Sequence, residues 1–207
     1  MVRYISKMGM VTRLTCLLLL LAWPGMPANG VRSGIERGSP SAPLKIEVYT
    51  DFQCPACKQL HEGTLKQVIT DYVDRGKAFL VYHDFQINPT HQYSLQAACF
   101  AEAAQRLGKY EVVADALFAS QDSWSLTGDV DKAVTTLFSP ADARRVRALA
   151  RSPEVMAEVQ KNEQLARSIP ISQTPTMVVT CKGKSYSLPG AQKNYAMLRM
   201  FLDSLLK

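Results

Sequence analysis

Two cysteines stand two residues apart in YTDFQCPACKQLHEG, residues 49–63 of this 207-residue chain. Cys54 and Cys57 enclose Pro55 and Ala56. Three chemistries use that spacing: a redox dithiol, one half of a metal site, and a structural disulfide. A metal needs more ligands. His61 is spaced to share a helix face with the two thiols, and His83 or His91 would have to supply a fourth donor. Structural zinc sites usually bring a second close ligand pair, whereas Cys99 and Cys181 stand alone in the sequence.

The elements around the pair give the thiols unequal chemistry. LKIEVYT, residues 44–50, has the β-branched and aromatic residues of a strand. PACKQLHEGTLKQVITDYVDRG follows with helical spacing: Leu60, Leu65, Val68, Ile69 and Tyr72 share a face, and Gly76 ends it. Cys54 therefore falls where a strand hands over to a helix, and Pro55 suits the first helical turn. Unpaired N–H groups and the positive end of the helix dipole favour a thiolate there. A free thiol titrates near pH ~8.5, and a drop of about three units corresponds to roughly 4 kcal/mol. Stabilising the reduced form makes a disulfide more oxidising, by roughly 30 mV per 1.4 kcal/mol. Cys57 lies one turn further in, with poorer access to solvent. Cys54 is expected to be the attacking and leaving thiol, and Cys57 the one that resolves a mixed disulfide.

The remaining pattern predicts a small mixed sheet with a helical insertion. KAFLVYHDFQI reads as a second strand, parallel to the first across the helix. Helices then occupy residues 91–168, with a break near Gly108 and two Ser-Pro starts, at Ser139-Pro140 and Ser152-Pro153. TMVVTC and KSYSL form a hairpin about Lys182-Gly183, and NYAMLRMFLDSLL is the last helix. The fold class is α/β, with residues 44–207 as one domain. Residues 31–43, VRSGIERGSPSAP, read as a mobile linker rich in Gly, Ser and Pro.

The first thirty residues are of another kind. Arg3, Lys7 and Arg13 precede the apolar LTCLLLLLAW, and PGMPANG ends in small residues. This is the layout of a secretory signal peptide, with cleavage expected after Gly30. Left uncleaved it would act as an amino-terminal anchor, and either way the rest of the chain is placed outside the cytoplasm. Cys16 belongs to that segment and leaves the count. Beyond residue 30 the chain carries 21 basic and 18 acidic side chains, a weak excess of +3. No basic run with interleaved aromatics supports nucleic-acid binding, and Arg144, Arg145, Arg147 and Arg151 read as a solvated helix face.

IEVYTDFQCPACKQLHE, the helical block, SQTPTMVV and LPGAQKNYAMLRMFLDSLL together resemble the DsbA-like thiol–disulfide oxidoreductases of the thioredoxin fold, over roughly residues 44–207. The resemblance implies a disulfide donor to exported proteins, with no cofactor of its own and no metal. It matches Cys54 to the nucleophile, Cys57 to the resolving cysteine and Pro175 to a cis-proline facing them. Thr174 would offer backbone groups to an extended substrate. It also implies a quinone-linked membrane reoxidase, DsbB-like or VKOR-like, and reduced exported proteins as substrates; no dimerisation segment is read, so a monomer is expected. The same site run backwards would serve a reductase or isomerase, and a metal carrier using Cys54, Cys57 and His61 is an alternative of another class. Two positions depart from the family. Ala56 stands where many relatives carry a histidine, and Val48 where many carry a buried acid; Glu47, one place off, is turned by strand alternation to the other face. Cys99 and Cys181 are candidates for a second disulfide in an oxidising compartment, or for two separate buried thiols.

Overall fold

A computed structural model describes residues 34–190 and 194–207; the expected leader, residues 1–30 with its cut after Gly30, lies outside them. Five strands form one sheet in the order β1-β3-β2-β4-β5. They are β1 (Ile35–Arg37), β2 (Leu44–Thr50), β3 (Ala78–Asp84), β4 (Thr176–Cys181) and β5 (Lys184–Pro189). β2 and β3 are parallel, with Leu44 level with Ala78 and Thr50 level with Asp84. The other pairings are antiparallel. Lys182 and Gly183 both have positive φ, +48° and +75°, as the tightest β4–β5 hairpin requires.

The parallel pair needs a crossover, and one long helix supplies it. It runs as Pro55–Leu60, a π turn at His61–Leu65, a short segment Lys66–Val68 and a second π turn at Ile69–Val73, together α1. Leu60 and Leu65 are both buried although five residues apart. A strict 3.6-residue turn would put them on different faces; the π turn absorbs the extra residue. Six helices lie between β3 and β4: α2 (Ser94–Gln105), α3 (Tyr110–Ala119), α4 (Gln121–Thr127), α5 (Val130–Thr135), α6 (Pro140–Ala150) and α7 (Pro153–Ser168). The Ser139 and Ser152 hydroxyls accept from the Asp142 and Val155 amides at 3.2 and 3.3 Å, so both Ser-Pro starts are caps. Arg147 pairs with Asp131 at 2.7 Å, tying α6 to α5. α8 (Tyr195–Leu205) returns beside α1, where Tyr72 donates to Asp203 at 2.6 Å.

Two expectations are corrected. Part of the stretch 31–43 is built into the sheet: Ile35–Arg37 pairs with Tyr82–Leu80. Gly34 permits the approach, with φ at +121° and a would-be Cβ only 2.5 Å from the Tyr82 carbonyl. Three residues are too few for alternation to show through the surrounding Gly and Ser. The other is α4, seven residues long: the helical stretches legible in the sequence end at Gln121 and resume at Asp129, and α4 fills the gap. Its stability comes from tertiary contacts rather than propensity: Trp124 is buried and donates to Leu117 O at 2.7 Å.

The strands alternate cleanly. Leu44, Ile46, Val48, Leu80, Tyr82, Met177 and Val179 enter the main core with the α1 side chains. Tyr49 and Phe85 form a smaller cluster with Ala166 of α7. Glu47 bonds His83 at 3.2 Å, and Tyr49 stacks on the His83 ring at 4.6 Å. Glu47 thus points away from Val48 and from the thiols, as alternation requires.

Candidate active site

β2 ends at Thr50, and residues 51–53 lead into α1 through a locked turn. The buried Asp51 carboxylate accepts from the Gln53 amide at 2.8 Å and from the Ser94 hydroxyl, and it bonds His91 Nδ1 at 2.7 Å. The Asp51 carbonyl accepts from the Cys54 amide at 3.0 Å. Gln53 Oε1 accepts from the Tyr93 amide at 2.9 Å, which fixes the turn to the start of α2. From the other side Gln121 of α4 donates to the carbonyls of Phe52 and Cys54 at 2.7 and 3.1 Å. Cys54 is the residue before the first helical turn, extended at φ −82° and ψ 120°. Its carbonyl takes the Cys57 and Lys58 amides at 3.0 and 3.2 Å, so the helix starts from it. Pro55 and Ala56 are exposed above the turn.

The two thiols have opposite surroundings. Cys54 keeps 8% of its surface exposed and Cys57 none. Cys54 is pulled down to about 6: the Cys57 thiol hydrogen-bonds its sulfur, the Cys57 and Ala56 amides at the helix end point at it, and the Thr174 side chain adds to them. Burial pushes Cys57 well above the usual thiol range, and the neighbouring Cys54 charge adds to it. The Cys57 sulfur accepts from the Asp51 amide at 3.4 Å and from the Thr50 hydroxyl. The loop before β4 closes the site. Thr174 O lies 3.6 Å from Cys54 Sγ, and the Thr174–Pro175 bond is cis. Cys54, Cys57 and Thr174 thus meet at one place, with Pro175 buried beside them.

The other residues with chemical potential lie elsewhere. His61 is bonded to Asp115 at 2.7 Å, His83 to Glu47 on the far face of the sheet, and His91 to Asp51. Among the described residues no group of three His, Cys, Asp or Glu side chains is arranged to hold a metal ion. Cys99 and Cys181 are separate buried thiols. Sheet register explains why. Cys181 is level with Leu44 at the start of β2, and its thiol donates to Leu205 O at 3.3 Å. Cys99 sits on α2 next to Ala98, which lines a cleft with Thr50 and Asp84 at the other end of β2. The two levels are the two ends of the seven-residue β2, six steps or roughly 20 Å apart at ~3.3 Å per residue, against a limit near ~7 Å between bonded cysteines. Burial raises Cys99 to about 11.

Sequence reasoning missed the groups that hold the turn: Asp51, Gln53, His91, Ser94 and Gln121. Only Asp51 left a signal, an acid directly after a strand and two residues before an amide it can accept from. The partners of the others are 40 to 69 positions away in sequence.

Comparisons with known proteins agree with this geometry. A Na(+)/H(+) antiporter NhaA 1 of Mycobacterium sp. (strain KMS) is 28% identical over 148 residues, which are 70% of this chain and 23% of that protein. The chain thus spans about a quarter of the length of that relative. A probable disulfide bond formation protein D of Bacillus anthracis is 23% identical over 146 residues, 69% of this chain and 67% of that one. The crystal structure of Wolbachia pipientis alpha-DsbA1 superposes with a TM-score of 0.67 at 23% identity, covering 82% of this chain and 89% of that one. At that identity the likeness speaks for the fold. The family profile described as Thioredoxin matches residues 31–204, nearly the whole of the described chain. With a strand, a CxxC at the helix start and a cis-proline loop in the expected places, the chain belongs to the thioredoxin family.

Proposed function

We propose that this protein is a thiol–disulfide oxidoreductase that donates its Cys54–Cys57 disulfide to exported proteins. The observation that carries the reading is the asymmetry of the pair: a thiol that keeps 8% of its surface exposed, lowered to about 6, beside a fully buried one raised well above its usual range. A substrate thiolate attacks Cys54 Sγ, the Cys54–Cys57 bond breaks, and Cys57 leaves with the electron pair and takes a proton. The second substrate thiolate then attacks its own sulfur in the mixed disulfide, and Cys54 leaves as the stabilised thiolate. The substrate dithiol loses two electrons and two protons; the protein gains both electrons and one proton, on Cys57, and the other proton goes to solvent. Thr174, beside Cys54 on the cis-proline loop, is the proposed anchor for an extended substrate backbone. The leader expected from the sequence of residues 1–30 supports an extracytoplasmic setting, and a DsbB-like or VKOR-like membrane protein is the proposed reoxidase.

The equilibrium potential of the pair in glutathione buffers tests the direction. A value of about −120 to −180 mV supports donation, whereas one near about −270 mV turns the site into a reductase.

A further inference from the structure

Cys57 must gain a proton when it leaves and lose one when it attacks, yet its sulfur has no access to solvent. Val48 cannot supply a proton, and the Glu47 carboxylate is turned away to His83 and Lys45. The Asp51 carboxylate is taken up by Gln53, Ser94 and His91, leaving only its backbone amide on the sulfur. On the correct face of the strands stands Asp84; Glu163 of α7, near it, is paired with Arg167 at 2.6 Å. Asp84 ends β3 level with Thr50 on the parallel neighbour β2, so both side chains point to the α1 side of the sheet, one strand spacing of about 4.8 Å apart. Thr50 is buried, and its hydroxyl is on the Cys57 sulfur. Thr50 and Asp84 also line a small cleft with Gln86, Ser94 and Glu163, with about 10 Å³ of free space, close to the room one water needs.

We propose that Asp84, acting through the Thr50 hydroxyl, delivers the proton to Cys57 when the disulfide opens and takes it back when the disulfide closes. The inference rests on the dithiol-exchange reading above. A hydroxyl suits the middle of such a chain because it donates and accepts at once. As Cys57 leaves, the Thr50 proton passes to sulfur and the Asp84 proton to Thr50. The Asp84 carboxylate is then recharged from the cleft, and mixed-disulfide closure runs the same transfers in reverse. Asp51 across the turn, Cys99 and Glu102 of α2, Tyr110 of α3 and Glu163 of α7 face this region. The basic side chains beside it are held by other partners: Arg167 by Glu163 at 2.6 Å and the Gln86 carbonyl at 3.3 Å, Arg106 by Glu158 at 3.0 Å, and His91 by Asp51 at 2.7 Å. Burial, with the Asp51 charge behind it, raises Asp84 to about 7, where it is found in both protonation states at neutral pH.

The test is the rate at which a cysteine-containing peptide reduces the oxidised protein, followed from pH 5 to 9 and normalised to peptide thiolate. Wild type should fall off above about pH 7. Asp84→Asn should be slower by on the order of 10²-fold at pH 6, should lose that inflection and should meet wild type above pH 8. Asp84→Glu should restore the inflection at a shifted position. An Asp84→Asn profile superposing on wild type overturns the proposal. If that variant does not fold, Thr50→Val carries the same test, and the Asp84 carboxyl resonance of wild type gives a second: its titration should move between the dithiol and disulfide forms, and an unmoved titration overturns the proposal. Wild-type protein that exchanges with neither peptide nor glutathione sinks the parent reading instead.

Discussion

The described chain buries four cysteines in two settings. Cys54 and Cys57 stand where β2 gives way to α1, with amides, a hydroxyl and a carbonyl aimed at their sulfurs. Cys99 and Cys181 stand on the body of a helix and at the end of a strand, among apolar neighbours. Burial acts on all four, and what separates them is where unpaired backbone donors are found. A helix start leaves N–H groups free; a helix interior and a paired strand have none to spare. Cysteine chemistry here is set by the free amides of a helix start, and cysteine packing by backbone that is already paired.

The sharpest break of that comparison removes one sulfur at a time. Cys54→Ser is expected to abolish disulfide exchange, and Cys57→Ser to accumulate mixed disulfides on Cys54 that a gel under non-reducing conditions displays. Cys99→Ala and Cys181→Ala are expected to leave the exchange rate within about twofold and to cost about 1 kcal/mol of stability by denaturant titration, the typical cost of a trimmed buried side chain. A Cys99 variant that lost exchange would dissolve the distinction. Alkylation sharpens it. With the iodoacetamide rate followed against pH, Cys54 should react with a midpoint near pH 6, while Cys99, raised to about 11, should react only on unfolding.

These contrasts were partly legible before any coordinates. The CxxC between a strand run and a Pro-led helix identifies which thiols lie at an element end, because both elements are local patterns. Gly108 and the two Ser-Pro caps are legible for the same reason. What was not legible is long-range. The three-residue β1 exists only because β3 offers an open edge. Gln121 reaches Cys54 O from 67 residues away, and Asp84 reaches its place beside Thr50 only through the parallel register. The distance between Cys99 and Cys181 depends on that register too, which is why a second disulfide stayed open until the strands were aligned.

The Cys54 titration offers a finer cut. The foremost cause of its low value is the hydrogen bond from Cys57, with the helix-end amides next among the lowering groups. Cys57→Ala should therefore raise the thiolate midpoint, read at 240 nm, while leaving it below the free-thiol value of ~8.5. The linkage follows in sign. A folded thiol depressed from ~8.5 to about 6 stabilises the reduced protein fully above ~8.5 and loses that contribution as pH falls through 6. The folding stability of the reduced protein should thus climb between pH 6 and 8.5, and Cys57→Ala should flatten the climb. An unchanged climb in that variant would mean the amides act alone.

The smallest expected effect concerns Ala56. Its side chain is exposed at the helix start, adjacent in sequence to Pro55 and two residues from Cys54. In Ala56→His an imidazolium would add a positive charge close to the Cys54 thiolate and favour it over the thiol. Solvent and salt screen a charge at so open a position, so the shift should stay under about one pKa unit and shrink at high ionic strength. The pair should become slightly more oxidising, by no more than ~30 mV for each pKa unit gained. The salt dependence decides what the shift means. A charge acting through open space weakens as salt is added, whereas a shift that survives 1 M salt would show that the new ring hydrogen-bonds the sulfur directly, and that the exposed positions of the motif can still be recruited to it.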